Sequence, residues 1–350
     1  MKAAVVNLDL SLPPVAVRTV DMPTLRPYWA LVRVHHAALN RLDAMMLANR
    51  SDQPPGAVFG SDGAGVVVEL GPAFTPALPQ VPGVAVGAEV VISPSLLWGA
   101  DPAAPGERYE ILGSPTRGTH AEYVTVPAAN LFPRPAHLSW AEAAALPTAG
   151  VTAWRALVTR GRLTGDDTVV IGAGSSGVGT LAIQIASATG ARVVAVTSTP
   201  DKAAHALKLG AHATVDRTAG PDELASALLE QTGDGASLAL DPTGALWPPF
   251  VDALRPGGRL VVVGKMAAAT ARVDVRSVYW KQLDLLGSAM GSTHDFAALL
   301  GHVARHRWAP FVDSVHPLAD VAAAYARLDH PDRVGKVVLD LQQPDAGPAR

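Results

Sequence analysis

The 350-residue chain contains no cysteine. That excludes disulfides and every metal site built on thiolates. It also lacks an excess of either charge: with a formal net charge of −3, it offers no electrostatic footprint for nucleic acid. No uninterrupted apolar run reaches the ~18 residues of a membrane span. Residues 1–6 are followed by Asn7 and Asp9. They lack the apolar core of a secretory leader and read as a first strand, so the cytoplasm is the expected location. There is no internal repeat and no low-complexity segment. What remains is 49% hydrophobic and 17% charged, the composition of a globular chain, and its length suits two domains.

The first ~125 residues read as all-β, with short apolar runs separated by Gly/Pro clusters. Pro72, Pro76, Pro79, Pro82 and Gly83 mark a long loop, and Ser93–Thr119 is an aperiodic excursion or lid. Composition shifts at Pro133–Pro135. Beyond it, Ser139 is a candidate N-cap with Glu142 in the capping-box position. Strands at 168–172, 192–197, 213–216, 236–241 and 259–263 then alternate with helical segments, a rhythm that predicts a parallel, doubly wound sheet. Strands at 284–290, 311–316 and 334–340 and helices at 294–306 and 318–328 complete the chain.

The most specific local signal is Val169–Gly179, where a β-branched run enters the turn Gly172-Ala173-Gly174-Ser175-Ser176-Gly177 and an apolar-periodic helix leaves it. A helix N-terminus offers N–H groups and partial positive charge, and the missing side chains let a diphosphate approach the backbone. Strand, turn, helix and following strand at this spacing point to dinucleotide binding, with Gly172, Gly174, Ser175, Ser176, Gly177 and Val178 as contacts. After the second strand an NAD-selective site carries an acid for the ribose 2′-hydroxyl. Here the sequence is Thr197-Ser198-Thr199-Pro200-Asp201-Lys202. Ser198, Thr199 and Lys202 suit a 2′-phosphate, so NADPH is expected over NADH, which remains possible. Arg217, Gly264 and Lys336 join the cofactor-site candidates. His302 and His306 lie four apart on a helix, which reads as a polar face in the absence of an acidic motif partner. Ser61 and Ser175 have no Ser-His-acid signature, which argues against a hydrolase.

Several stretches together make the chain resemble the medium-chain dehydrogenase/reductase superfamily over nearly its whole length. They include Asn40-Arg41-Leu42-Asp43, Phe59–Gly65, Gly118–Val124, Ala143–Trp154, Pro256–Arg259, Lys281–Ser288 and Gly335–Val338. The resemblance implies a GroES-like β-barrel catalytic domain (1–125), a Rossmann dinucleotide-binding domain (126–290) and a C-terminal segment (291–350) returning to the first, with the active site in the cleft between. It also implies a homodimer, or a tetramer, formed by edge pairing through Leu283–Met290. Thr152 matches a position that contacts the nicotinamide carboxamide.

The departures from the family pattern bear on the chemistry. Zinc-dependent members carry Cys, His and often Cys at the positions of Asn40, Ser61 and Thr148, and none of these three is a good zinc ligand. Leu42 replaces a proton-relaying hydroxyl. The pattern is similar to the zinc-free quinone oxidoreductase and enoyl reductase branch, whose Asn-x-x-Asp motif is matched by Asn40 and Asp43. An acceptor conjugated to a carbonyl takes hydride at its β-carbon, and the resulting oxyanion needs only hydrogen-bond donors. Asn40 and Thr148 are the candidate donors, although Asn40 could equally hold its loop and Thr148 could pack its helix. Asp43 is the third candidate, with a structural role, since a carboxylate beside developing negative charge hinders reduction. The expected activity is therefore NADPH-dependent, zinc-independent reduction of quinones or α,β-unsaturated carbonyl compounds. The alternatives are a metal-free carbonyl reductase or alcohol dehydrogenase, and a non-catalytic NADPH-binding sensor.

Overall fold

The computed structural model describes residues 1–72 and 84–342. Of the loop expected around Pro72–Gly83, everything after Pro72 lies outside the described residues. Two compact units are present: Met1–Thr148 with Ser292 onward, and Ala149–Gly291.

The first unit begins with β1 (Lys2–Val6), β2 (Val15–Thr19), β3 (Trp29–Ala38), α1 (Arg41–Ala48), β4 (Asp62–Leu70), β5 (Glu89–Ile92), β6 (Ser95–Leu96) and β7 (Glu110–Ile111). It continues with β8 (Tyr123–Pro127), β9 (Leu131–Pro133) and α2 (Trp140–Ala145). The second unit follows α3 (Pro147–Trp154) with β10 (Thr168–Ile171), α4 (Gly177–Thr189), β11 (Arg192–Thr197), α5 (Pro200–Lys208), β12 (Ala213–Asp216) and α6 (Pro221–Thr232). Its remaining elements are β13 (Ala236–Asp241), α7 (Trp247–Ala253), β14 (Leu254–Val262), α8 (Val275–Trp280) and β15 (Asp284–Gly287). The chain returns to the first unit with α9 (Thr293–His306), β16 (Val312–Pro317), α10 (Val321–Asp329) and β17 (Lys336–Asp340).

In the first unit the main sheet runs β16-β17-β3-β4-β5-β9, with β8 also pairing β3. All pairs are antiparallel except β16 with β17. Alternating residues of β3 and β4 enter one core with β5, α1 and α10, including Val32, Val34, Val67, Val90 and Tyr325. The second unit holds a parallel sheet in the order β12-β11-β10-β13-β14-β15, the doubly wound arrangement expected from the βα rhythm. Its central strands read as continuous apolar runs because both faces are covered; every residue of β13 is buried.

One expectation needs correction. The first ~125 residues are not all-β, because Asn40 and Asp43 start helix α1: the Asp43 carboxylate accepts the Asn40 N–H at 2.7 Å. The first compact unit extends through Thr148. The reason is α2, which the Ser139–Glu142 capping box starts and which packs Ala145 against Ala38 of β3 and Val338 of β17. No helix among the described residues is long and apolar enough to cross a membrane.

Candidate active site and dinucleotide site

Antiparallel register assembles the polar centre of the first unit. Ala38, the last residue of β3, pairs with Asp62 at the start of β4 and with Val338 on β17. The chain leaving β3 therefore reaches Asn40, the N-cap of α1, beside Asp62 and Lys336. The Lys336 Nζ donates to Leu39 O at 2.9 Å, Asn40 Oδ1 at 2.5 Å and Asp62 Oδ2 at 2.9 Å. Three acceptors match the three donors of an ammonium. Asp62 is 0% exposed and Lys336 3%, and a charge so buried is tolerated only when it is paired and hydrogen-bonded.

Asn40 Nδ2 lies 2.9 Å from Asp62 Oδ2 and 3.2 Å from Ser61 Oγ. An ammonium on one side and a carboxylate on the other dictate which way this amide faces. The start of α3 supplies Thr148, whose N–H donates to Asp62 Oδ1 at 2.7 Å and whose Oγ1 lies 3.0 Å from Ser61 Oγ. Thr119 Oγ1 donates to the Asp62 carbonyl at 2.6 Å. Asp62 is thus the hub. Ser61 is 1% exposed, whereas Asn40 and Thr148 are each 9% exposed, so those two are the least buried members of the network.

Other buried titratable groups surround the hub. Burial pushes the Asp43 carboxyl up to about 7; the Asp62 carboxylate adds to this, while the Asn40 N–H and the Lys336 ammonium oppose it. Burial drives the His120 imidazole down to about 4, against the pull of the Ala38 carbonyl and Asp62. The Tyr325 hydroxyl lies 3.4 Å from His120 Nδ1, and burial first, then Asp43, raises its phenol well above the usual value.

Asn40, Asp43 and Thr148 therefore come together. Lys336, a cofactor-site candidate by sequence, stands in the same network with its three N–H groups occupied, so none is left over for a cofactor phosphate. Asp62 and the bridging hydroxyl of Ser61 carry no role in the sequence analysis. The available signal was a carboxylate set among glycines in Gly60-Ser61-Asp62-Gly63, where a strand begins.

In the second unit β10 ends at Ile171 and α4 begins at Gly177, capped by Ser176, whose Oγ accepts the Gly179 N–H at 3.0 Å. A Cβ on Gly179 would stand 2.2 Å from the Ala173 carbonyl, and one on Gly172 would stand 2.7 Å from Leu246 Cδ1. The start of α4 thus packs backbone to backbone against Ala173, and the tight glycine turn ahead of a helix N-terminus is the arrangement a diphosphate fits. At the end of β11, Thr197 is buried and Thr199 caps α5, accepting the Lys202 N–H at 3.3 Å. Lys202 Nζ lies 3.4 Å from Ser198 Oγ. Asp216 pairs in register with Thr197, and its carboxylate accepts the Thr218 N–H at 2.9 Å. Arg217 follows on the surface. Thr152 is buried, with Oγ1 3.8 Å from Met290 Sδ. Gly264 lines a cavity of about 260 Å³ with Gly244, Trp247, Val262 and Lys265. The His302 and His306 rings lie 4.3 Å apart on α9, tilted by 37°, and among the described residues no three His, Cys, Asp or Glu gather as a metal cluster.

Comparison with known proteins now decides the family. Residues 26–136 match the "Alcohol dehydrogenase GroES-like domain" family, and residues 177–305 match the "Zinc-binding dehydrogenase" family. A solved structure titled as an NAD-dependent alcohol dehydrogenase is 35% identical, with a TM-score of 0.85, covering 97% of this chain and 100% of that one. The chain belongs to the medium-chain dehydrogenase/reductase superfamily. It is similar to the zinc-type alcohol dehydrogenase-like protein YogA of Leptosphaeria maculans (29% identity over 339 residues, 92% of each chain). It is also similar to the crotonyl-CoA carboxylase/reductase of Cereibacter sphaeroides (26% over 373 residues, 95% of this chain and 84% of that one). The protein is an NAD(P)-dependent oxidoreductase of this superfamily, with a GroES-like unit and a Rossmann-type unit.

Proposed function

We propose that this oxidoreductase reduces quinones or α,β-unsaturated carbonyl compounds with NADPH and without zinc. The observation that carries the reading is the donor set at the network: Asn40, Ser61 and Thr148 present an amide and two hydroxyls, and a lysine ammonium is bonded among them. These residues do not fit zinc, which takes thiolate, imidazole or carboxylate. The carboxylate at the centre of the network, Asp62, already accepts from Asn40, Thr148 and Lys336, and Asp43 is held by the Asn40 N–H. Bound nicotinamide supplies the hydride. As it adds to the β-carbon of a conjugated acceptor, the π-electron pair moves to oxygen, and the Thr148 hydroxyl holds the resulting anion, because both Asn40 Nδ2 hydrogens are already donated to Ser61 and Asp62. Solvent supplies the final proton. The name of the crotonyl-CoA relative fits a conjugated acceptor.

The reading assigns the glycine turn Gly172–Val178 to the diphosphate, Ser198 and Lys202 to the 2′-phosphate, and Arg217, Thr152 and Gly264 to the rest of the cofactor. Thr199 contributes chiefly as the cap that fixes Lys202 in place. Edge pairing of β15 with a second copy would give a homodimer: β15 is the last strand of its sheet, and Tyr279 and Trp280 beside it are 58% and 73% exposed. The test is a panel of quinones, enones and simple ketones against enzyme-bound NADPH, followed by stopped-flow absorbance of the nicotinamide. Oxidation is expected with quinones or enones and not with simple ketones; no oxidation by any acceptor overturns the assignment.

A further inference from the structure

We propose that the Lys336 ammonium is the resident cation of this site, polarising the chain Asn40–Ser61–Thr148 so that Thr148 becomes its terminal donor. The proposal rests on the reductase reading only in taking the group held at Thr148 to be an oxygen that gains negative charge. Lys336 is a positioning residue in this account, and Thr148 is the group that touches the acceptor.

Thr148 Oγ1 donates to Ser61 Oγ in the structure, but both hydroxyls rotate, and with an acceptor oxygen at Thr148 the same contacts form a chain running outward from Lys336. Lys336 Nζ donates to Asn40 Oδ1, and the amide pinned by that bond donates from Nδ2 to Ser61 Oγ. Ser61 can only accept from an amide N–H, so its single proton is free to turn to Thr148 Oγ1, 3.0 Å away. Thr148 then has its own proton to offer, and it is the less buried residue of the pair, 9% exposed against 1%. Donors aligned head to tail polarise one another, so a charge at the buried end strengthens the hydrogen bond at the open end. Asp62 holds both ends of the chain, through Asn40 Nδ2 and the Thr148 N–H. The site therefore carries a cation tethered to β17, bonded to the oxygens of Asn40 and Asp62 that an incoming metal would need.

The absence of cysteine makes a clean test possible. Lys336→Cys introduces a single thiol into the chain. Alkylating it in denaturant with 2-bromoethylamine rebuilds a lysine-like ammonium, while bromoethane gives a neutral side chain lacking only that group. Both proteins are refolded, checked by thermal melting, and titrated with p-nitrophenolate, an oxyanion probe, in the presence of NADP⁺. The same pair is made with Thr148→Val. With Thr148 present, the aminoethyl protein is expected to bind the phenolate about tenfold more tightly than the ethyl protein, and with Thr148→Val less than about twofold more tightly. An equal ratio in both backgrounds means that Lys336 acts without the relay and overturns the proposal. A second variant guards against misfolding of the ethyl protein. Ser61→Ala cuts the chain while leaving Lys336 and Asp62 paired; it is expected to bind phenolate as weakly as Thr148→Val, and wild-type affinity would overturn the relay. Turnover of an enone without Lys336–Thr148 coupling removes this proposal and leaves the reductase reading; coupling without turnover does the reverse.

Discussion

The glycine turn of the Rossmann-type unit is made of backbone from one short run, Gly172–Gly179, whereas the polar network of the GroES-like unit joins side chains from Asn40, Ser61, Asp62, Thr148 and Lys336. The first site works through what is missing, since a Cβ on Gly179 would collide with the Ala173 carbonyl and one on Gly172 with Leu246. The second works through what is paired, since an ammonium and a carboxylate buried alone would be costly. A backbone site tolerates little change in volume at a few positions, and a charge network tolerates little change in charge at any member.

The comparison breaks most severely at Asp62. Asp62→Ala leaves the Lys336 ammonium buried without its anion and removes the acceptors of Asn40 and Thr148. It is expected to destabilise the protein by about 3–5 kcal/mol, read from urea denaturation. A change below about 1 kcal/mol would show that water or another group replaces the carboxylate. In the other unit, Gly179→Ala sets a Cβ 2.2 Å from the Ala173 carbonyl. That overpacking is expected to cost about 1–3 kcal/mol. It should also weaken dinucleotide binding, measured by quenching of protein fluorescence, with nothing lost from the GroES-like network.

An ion pair that reaches solvent sharpens the contrast with the buried one. Asp313 accepts from Arg327 at 2.6 and 2.7 Å and from the Val334 N–H at 3.0 Å. Burial alone would raise its pKa, but the guanidinium and the N–H outweigh it and hold the carboxyl below its ordinary value. A depressed folded-state pKa contributes stability that is complete above the unfolded value and is lost as pH falls through the folded value. Asp313→Asn is therefore expected to cost about 1–3 kcal/mol at neutral pH. The gap from the wild type should close as acid unfolding is followed below about pH 4. A gap that stays constant down to pH 2 would mean that the charge contributes nothing. The smallest effect is at the cofactor. Lys202→Ala is expected to weaken NADPH about tenfold and leave NADH unchanged, by competitive titration. Equal losses for both would remove the 2′-phosphate assignment.

These contrasts explain what was legible in the sequence. The βα rhythm and the glycine turn are local signals: period, spacing and the exclusion of side chains are written in consecutive residues. Ser139 and Glu142 signal their capping box in the same way. The network is not local. Asp62 comes opposite Ala38, and Lys336 comes to Asn40, only through the register of β3 with β4 and β17. Nothing near Gly335-Lys336 in sequence names its partner. Helix α1 lies between the two cases, because Asn40 and Asp43 carry a motif at the site and also start a helix.

The central claim is that hydride passes to a conjugated acceptor in a site whose cation is a lysine rather than a metal. It is tested most directly by measuring metal content and single-turnover NADPH oxidation on one sample of chelator-dialysed enzyme, with an enone or quinone as acceptor. The account predicts no stoichiometric zinc and an oxidation rate equal to that of undialysed enzyme. Stoichiometric zinc in the undialysed protein, with activity lost on its removal and regained on its return, would contradict it.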